Sequence, residues 1–146
     1  MGRIEAICIS REKGTVKETV ADAELRVKHG IVGDAHAGDW HRQVSLLPSE
    51  SIAKVREMMP ELADGAFAEN LVTSGVDLAH VQIGDKVAIG NDVLLEVTQI
   101  GKECHQGCAI RQITGDCIMP REGIFCRVLN GGRIQPGSSA TLNPSL

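Results

Sequence analysis

Residues 101–120 read GKECHQGCAIRQITGDCIMP and bring Cys104, His105, Cys108 and Cys117 into one short stretch. Three thiolates and an imidazole are a donor set that a structural zinc or iron–sulfur site can use. Cys104 and Cys108 are four residues apart and Cys117 is nine further on, unlike the compact cysteine pairs that mark zinc sites. The same residues suit a second chemistry. A thiol that attacks, or that carries sulfur as a persulfide, must be a thiolate with solvent access and positive charge nearby. Lys102, His105, Arg111 and Arg121 supply that charge around Cys104, and Cys108 or Cys117 could resolve a persulfide by exchange. The residues alone leave both open. Cys8 and Cys126 lie within apolar strand patterns and read as small buried hydrophobes.

A second group could converge on the same place. Arg42, beside His41, stands at the start of a strand, and Arg121 and Arg127 flank the REGIFCR segment. Arginine presents a planar fork that matches phosphate or carboxylate, so two or three around one pocket would hold a phosphorylated ligand. The loop GIVGDAHAGDWH at 30–41 carries His36 and His41 five residues apart, with Asp34 and Asp39 between turn-forming glycines. These could bind a metal, but ordering the loop by hydrogen bonding is the simpler role. Asn70, in FAEN, reads as a residue that pins a turn.

Short strands must position these groups. IEAICI at 4–9 is the first, with a returning strand expected over 16–20 and a short third over 25–27. A strand over 44–47 leads into PSESIAKVREMMPEL, where Ser49 is placed to cap a helix. Ile52, Val55, Met58 and Met59 recur there at helical spacing, and Pro60 and Asp64-Gly65 close it. Strands are expected again over 71–73, after the Gly84-Asp85 turn, over 92–100 and over 124–129. Asn130-Gly131-Gly132 is a hairpin signal, and 137–141 supplies a last strand. Many short strands with glycine-rich turns and one helix imply a barrel, which closes to remove exposed edges.

Composition agrees. A chain of 146 residues can bury a core of its own, and with Trp40, Phe67 and Phe125 as its whole aromatic supply that core must be aliphatic. A net charge of -4 argues against general nucleic-acid binding, which needs a basic footprint. No apolar run approaches bilayer length, and the N-terminal run is too short for a signal peptide. A cytoplasmic protein with reduced thiols and no membrane or nucleic-acid partner is the expectation.

Five blocks then look familiar in order and spacing: GDAHAGDWHRQVSLLPSESI at 33–52, GAFAENL at 65–71, IGDKVAIG at 83–90, LEVTQIGKECH at 95–105 and MPREGIFCRVLNGGRIQPG at 119–137. Together they resemble the MOSC domains of molybdenum-cofactor sulfurases, and in particular the short stand-alone bacterial type. The resemblance implies a mostly β, closed or partly closed barrel with one main helix and short additional helical turns, as a single domain over 1–146. It also implies a role in handling sulfur for the molybdenum cofactor, or in binding that cofactor without chemistry.

The family's characteristic cysteine corresponds to Cys104. In some members it is proposed to carry sulfur as a persulfide, and in others it acts as a metal ligand. Here His105 and Lys102 would favour its thiolate. Arg42 and Arg121 would hold the cofactor phosphate, with Asn70 and His36 as further cofactor-binding candidates. Cys108 and Cys117 depart from the simple family pattern and keep a Cys104, Cys108, Cys117 metal set open. Any sulfurtransferase-like activity would need a cysteine desulfurase or other sulfur donor and, as recipient, a molybdoenzyme or cofactor-biosynthesis protein. Pyridoxal phosphate is not expected on this domain alone, and a homodimer is reasonable for so small a sheet.

Overall fold

Alternation of apolar and polar residues drives the architecture, because strands bury every second side chain on one face. The computed structural model describes residues 2–12, 17–61, 65, 67, 69–101 and 123–143. Among these the chain runs β1 (Gly2–Ile9), β2 (Glu18–Val20), β3 (Ala23–Arg26), β4 (Gly30–Ile31), β5 (Val44–Pro48), α1 (Ser49–Arg56) and β6 (Leu71–Ser74). A 3-10 turn over Leu78–His80 follows, then β7 (Lys86–Ile89), β8 (Val93–Ile100), β9 (Ile124–Asn130), β10 (Gly132–Ile134) and β11 (Ser139–Leu142).

Seven strands close into a barrel in the order β1-β11-β7-β8-β9-β5-β6, and β6 returns to β1. Closure is made by Gly2 and Arg3 opposite Ala140 and Ser139. All the barrel pairs are antiparallel except β5–β6. A parallel pair requires a crossover rather than a hairpin, and α1 lies in that connection. β2 adds to the outer edge of β1, and β10-β3-β4 form a small second sheet.

The barrel interior is aliphatic, with Ile4, Ile7, Leu46, Leu71, Val87, Leu95, Val97 and Ile124 all buried. A second cluster gathers Ala6, Leu47, Val72 and Phe125 from strands with Ile52 of α1 and Phe67. Among the described residues the chain thus forms the expected mostly β barrel with one α-helix.

Two local expectations are corrected. The helix ends at Arg56, short of Pro60, and Pro48 rather than Ser49 occupies its cap position, with no side-chain cap bond. Ser49 instead donates to the Glu50 carboxylate, which also accepts the Gly75 N–H at 3.0 Å. That backbone bond holds the Glu50 carboxyl below its ordinary range. Met58 is exposed, so little apolar burial favours a further turn. Asn130-Gly131-Gly132 is likewise no hairpin, for β10 pairs with β3, not β9. At Gly131 a Cβ would stand 2.5 Å from the Leu25 carbonyl oxygen, so this glycine serves a close crossing between the sheets.

Candidate functional site

β8 buries Val93, Leu95 and Val97 in regular alternation, which would send residue 99 to the same face. A bulge intervenes: Val97 pairs with Cys126 but Gln99 pairs with Phe125, leaving Thr98 as the extra residue. Bulges re-aim side chains. Here Gln99 Oε1 receives Arg42 Nε at 3.1 Å and His41 Nε2 at 3.0 Å. Its Nε2 donates to the Gly101 carbonyl at 2.7 Å. The Thr98 hydroxyl stands between the carbonyls of His41 and Phe125, which share its one proton, tying the loop before β5 onto the β8–β9 pair.

The Arg42 guanidinium lies over two rings, 5.7 Å from the Trp40 centroid and 5.6 Å from that of Phe125. Such contacts hold a cation while leaving its in-plane edges available. Among the described residues, Gln99 is the hydrogen-bond acceptor of Arg42, through Nε. His41 meets the Trp40 ring edge-on at 5.6 Å.

Beside this group β8 ends at Ile100. Gly101, buried and at φ 69°, takes a left-handed conformation that favours glycine, and its N–H donates to the Gly123 carbonyl at 2.7 Å. Gly101 and Gly123, which flank residues 102–122 in the sequence, are thus joined by one hydrogen bond, the neck. Lys102, Cys104, His105, Cys108, Arg111, Cys117 and Arg121 lie outside the described residues.

A second polar group is internal. Lys17 Nζ donates to Asp34 Oδ1 at 2.7 Å, with the two side chains 1% and 0% exposed. The same ammonium is 3.3 Å from Ser10 Oγ and 3.1 Å from His36 Nδ1. An ammonium only donates, so His36 Nδ1 accepts and its ring proton sits on Nε2. Asn70 donates to Asp34 Oδ2 and the Cys8 carbonyl, and its Oδ1 accepts from the N–H and hydroxyl of Ser45. All four hydrogen-bonding positions of Asn70 are thereby used, which is the geometry of a pin. Glu69, also buried, accepts the N–H groups of Gly65 and Phe67.

The residues singled out from sequence therefore separate. Arg42 and His41 stand together at the neck, while His36, Asp34 and Asn70 share the buried network. Within the 30–41 loop, Asp34, His36 and Trp40 are tied by hydrogen bonds, Trp40 Nε1 donating to the His36 carbonyl at 2.9 Å. Among the described residues no three or more His, Cys, Asp or Glu side chains are grouped to hold a metal ion. Arg127 is engaged by Glu96 at 2.6 Å, and Lys86 reaches the same carboxylate at 3.1 Å. Hydrogen bonding to Lys86 and Arg127 keeps the Glu96 carboxyl below its ordinary range. Arg127, Glu96, Trp40 and His41 line an open groove of about 490 Å³ with Lys28 and Ile83. Cys8 and Cys126 are buried, and burial pushes the Cys126 thiol far up, which removes it from thiolate chemistry. Gln99 and Lys17 carried no motif in the sequence. For Gln99 the available signal was a polar residue at the end of the strongest strand, next to the cysteine segment.

The family model of the MOSC domain matches residues 33–141. A reductase of Gibberella moniliformis is 32% identical over 90% of this chain, which spans 27% of that protein. Protein YflK of Bacillus subtilis is 25% identical over 90% of the chain, which spans 63% of it. The chain thus spans less than two thirds of the length of either relative. Among solved structures, the YuaD protein of Bacillus subtilis superposes with a TM-score of 0.80 at 18% identity, covering 100% of this chain and 98% of that one. YiiM of Geobacillus stearothermophilus gives 0.72 at 23% identity over 97% of this chain and 75% of that one. These likenesses establish the fold, and the match over 33–141 establishes the family: the chain belongs to the MOSC domain family, which is associated with molybdenum-cofactor-related proteins.

Proposed function

We propose that this chain is a cytoplasmic sulfur carrier for the molybdenum cofactor or a related metal–sulfur centre, with Cys104 as the carrying thiol and Arg42 as the anchor for an anionic phosphate. The observation that carries this reading is the neck. Arg42 is stacked over Trp40 and Phe125 and fixed by Gln99, and Gln99 also binds Gly101, three residues before Cys104. An anion held at Arg42 would therefore sit at the root of the cysteine segment.

In the loading step the Cys104 thiolate attacks the outer sulfur of a donor persulfide. One S–S bond forms on Cys104, the donor's S–S bond breaks, and the donor leaves as a thiolate, with no net oxidation. Lys102 and His105 supply positive charge that favours the attacking thiolate. Arg121 is assigned as the second arm of the phosphate clasp. The residues fit an anionic cofactor in donor chemistry, because a guanidinium bonded through Nε keeps its Nη edge for phosphate oxygens. A bound molybdenum cofactor would contribute the metal–sulfur chemistry. The chain's own groups hold the anion and present the thiol.

The test is anaerobic reaction with one equivalent of persulfide-loaded cysteine desulfurase, followed by intact and peptide mass spectrometry. One added sulfur on Cys104, absent from Cys104→Ser, is the expected result. No transfer, with Cys104 still a thiol, would sink the carrier reading and leave the same Arg42 geometry to a protein that binds the cofactor without chemistry. In that case titration with cofactor would saturate, and Cys104→Ala would weaken it.

A further inference from the structure

We infer that Gln99 is a positioning residue for this site, its side-chain amide coupling the Arg42 guanidinium to the root of the Cys104 segment. The inference rests on the reading that Arg42 holds an anion beside Cys104.

The orientation of the Gln99 amide follows from its partners. Arginine only donates, so the Gln99 atom 3.1 Å from Arg42 Nε must be the oxygen. A backbone carbonyl only accepts, so the atom 2.7 Å from Gly101 O must be the nitrogen. Both demands agree, and neither face can be exchanged without losing both bonds. His41 Nε2, 3.0 Å from the same oxygen, must then carry its proton.

Among the described residues, two aromatic rings and one hydrogen bond hold Arg42. The rings fix how far the guanidinium stands from them, but a ring face sets little preference for rotation within the guanidinium plane. The Nε bond to Gln99 does set it, and so decides which edge the Nη nitrogens present. The bulge at Thr98 is what delivers Gln99 to this position. The same amide pins the Gly101 carbonyl while the Gly101 N–H is bonded to Gly123, so both backbone groups of the neck glycine are engaged. An anion at Arg42 and the neck glycine Gly101 would therefore share one side chain. Coupling of this kind is reciprocal.

Trp40 is the single tryptophan of the chain and lies in contact with Arg42, so its fluorescence reports on an anion bound there. The experiment titrates inorganic phosphate into the wild type, Gln99→Met, Gln99→Glu and Arg42→Gln. It then measures the iodoacetamide alkylation rate of Cys104 against pH, with and without saturating phosphate. The wild type should bind phosphate and show Cys104 alkylation shifted to higher pH when phosphate is present. Gln99→Met should weaken phosphate about tenfold, the size expected for one hydrogen bond to a charged group, and abolish the shift. Gln99→Glu keeps the acceptor for Arg42 but lacks the donor for Gly101 and adds a competing negative charge. It should lose both phosphate affinity and the shift.

Wild-type affinity and shift in Gln99→Met would overturn the positioning role while leaving Arg42 as the anion site. Absence of phosphate binding by the wild type, or undiminished binding by Arg42→Gln, would overturn the anion reading and this inference with it. Normal coupling without persulfide loading would remove the carrier reading alone.

Discussion

Lys17 Nζ and Asp34 Oδ1 are 2.7 Å apart in a site that excludes water from both side chains. The pair joins the segment before β2 to the loop after β4, and Asn70 and Ser10 complete the hydrogen bonding around Asp34. Removing one member of such a pair strands a buried charge, at a cost of about 3–5 kcal/mol. Lys17→Met should lower the free energy of unfolding by that amount in urea titration. A loss below about 1 kcal/mol, the size of a surface pair, would show that the network does not organise the loop.

Thiol reactivity should divide the five cysteines. Cys8 and Cys126 are buried in β1 and β9, and burial moves the Cys126 thiol far above its ordinary value. Native protein treated with iodoacetamide near neutral pH should leave both unmodified, and unfolding in guanidinium should expose them. Native labelling of Cys126 at the rate of a free thiol would mean that the β8–β9 pair opens readily.

Glu96 supplies a pH dependence whose sign is fixed. Hydrogen bonds from Lys86 and Arg127 depress its carboxyl below the ordinary 4.5. A depressed folded-state value contributes stability that is present above 4.5 and is lost as pH falls through the lower folded value. Glu50, depressed by the Gly75 N–H, acts in the same direction. The urea midpoint should therefore fall on acidification below about pH 5, and Glu96→Gln should make that fall shallower. An unchanged slope in Glu96→Gln would place the acid sensitivity elsewhere.

Much of this fold was legible because β8 and the first half of β1 alternate in burial, while β9 and the rest of β1 are short apolar, β-branched-rich runs. Closure of β1 against β11 was not legible, since register across so long a separation leaves no local trace in Gly2 or Ala140. The last turn expected of α1 failed because Met58 points to solvent and helical spacing alone does not create burial. Arg42 and His41 were legible by residue type in a glycine-rich loop. Gln99 was not, because a bulge breaks the periodicity that would have placed it.

The Asn130-Gly131-Gly132 segment gives its own prediction. A hairpin turn would need these glycines for backbone conformation, whereas the observed crossing needs Gly131 for space against the Leu25 carbonyl. Gly131→Ala should thus cost about 1–3 kcal/mol through forced displacement of backbone. Hydrogen exchange should show the loss concentrated in β3 and β10, which pair across that crossing. A loss spread evenly over the barrel strands would contradict it.

Arg42→Lys separates charge from shape at the neck. Lysine keeps the positive charge but has neither the planar face that lies over Trp40 and Phe125 nor an Nε to meet Gln99. Its compact ammonium is more strongly hydrated, so it should also withdraw from the rings into solvent. Inorganic phosphate, followed by Trp40 fluorescence, should then bind about tenfold more weakly, the worth of one charge-assisted hydrogen bond. Raising the salt concentration should weaken the lysine variant further, because an exposed charge without fixed geometry binds by screened attraction alone. Equal affinity in the two proteins would mean that charge at position 42 suffices and that the stacked, hydrogen-bonded geometry serves the fold rather than the ligand.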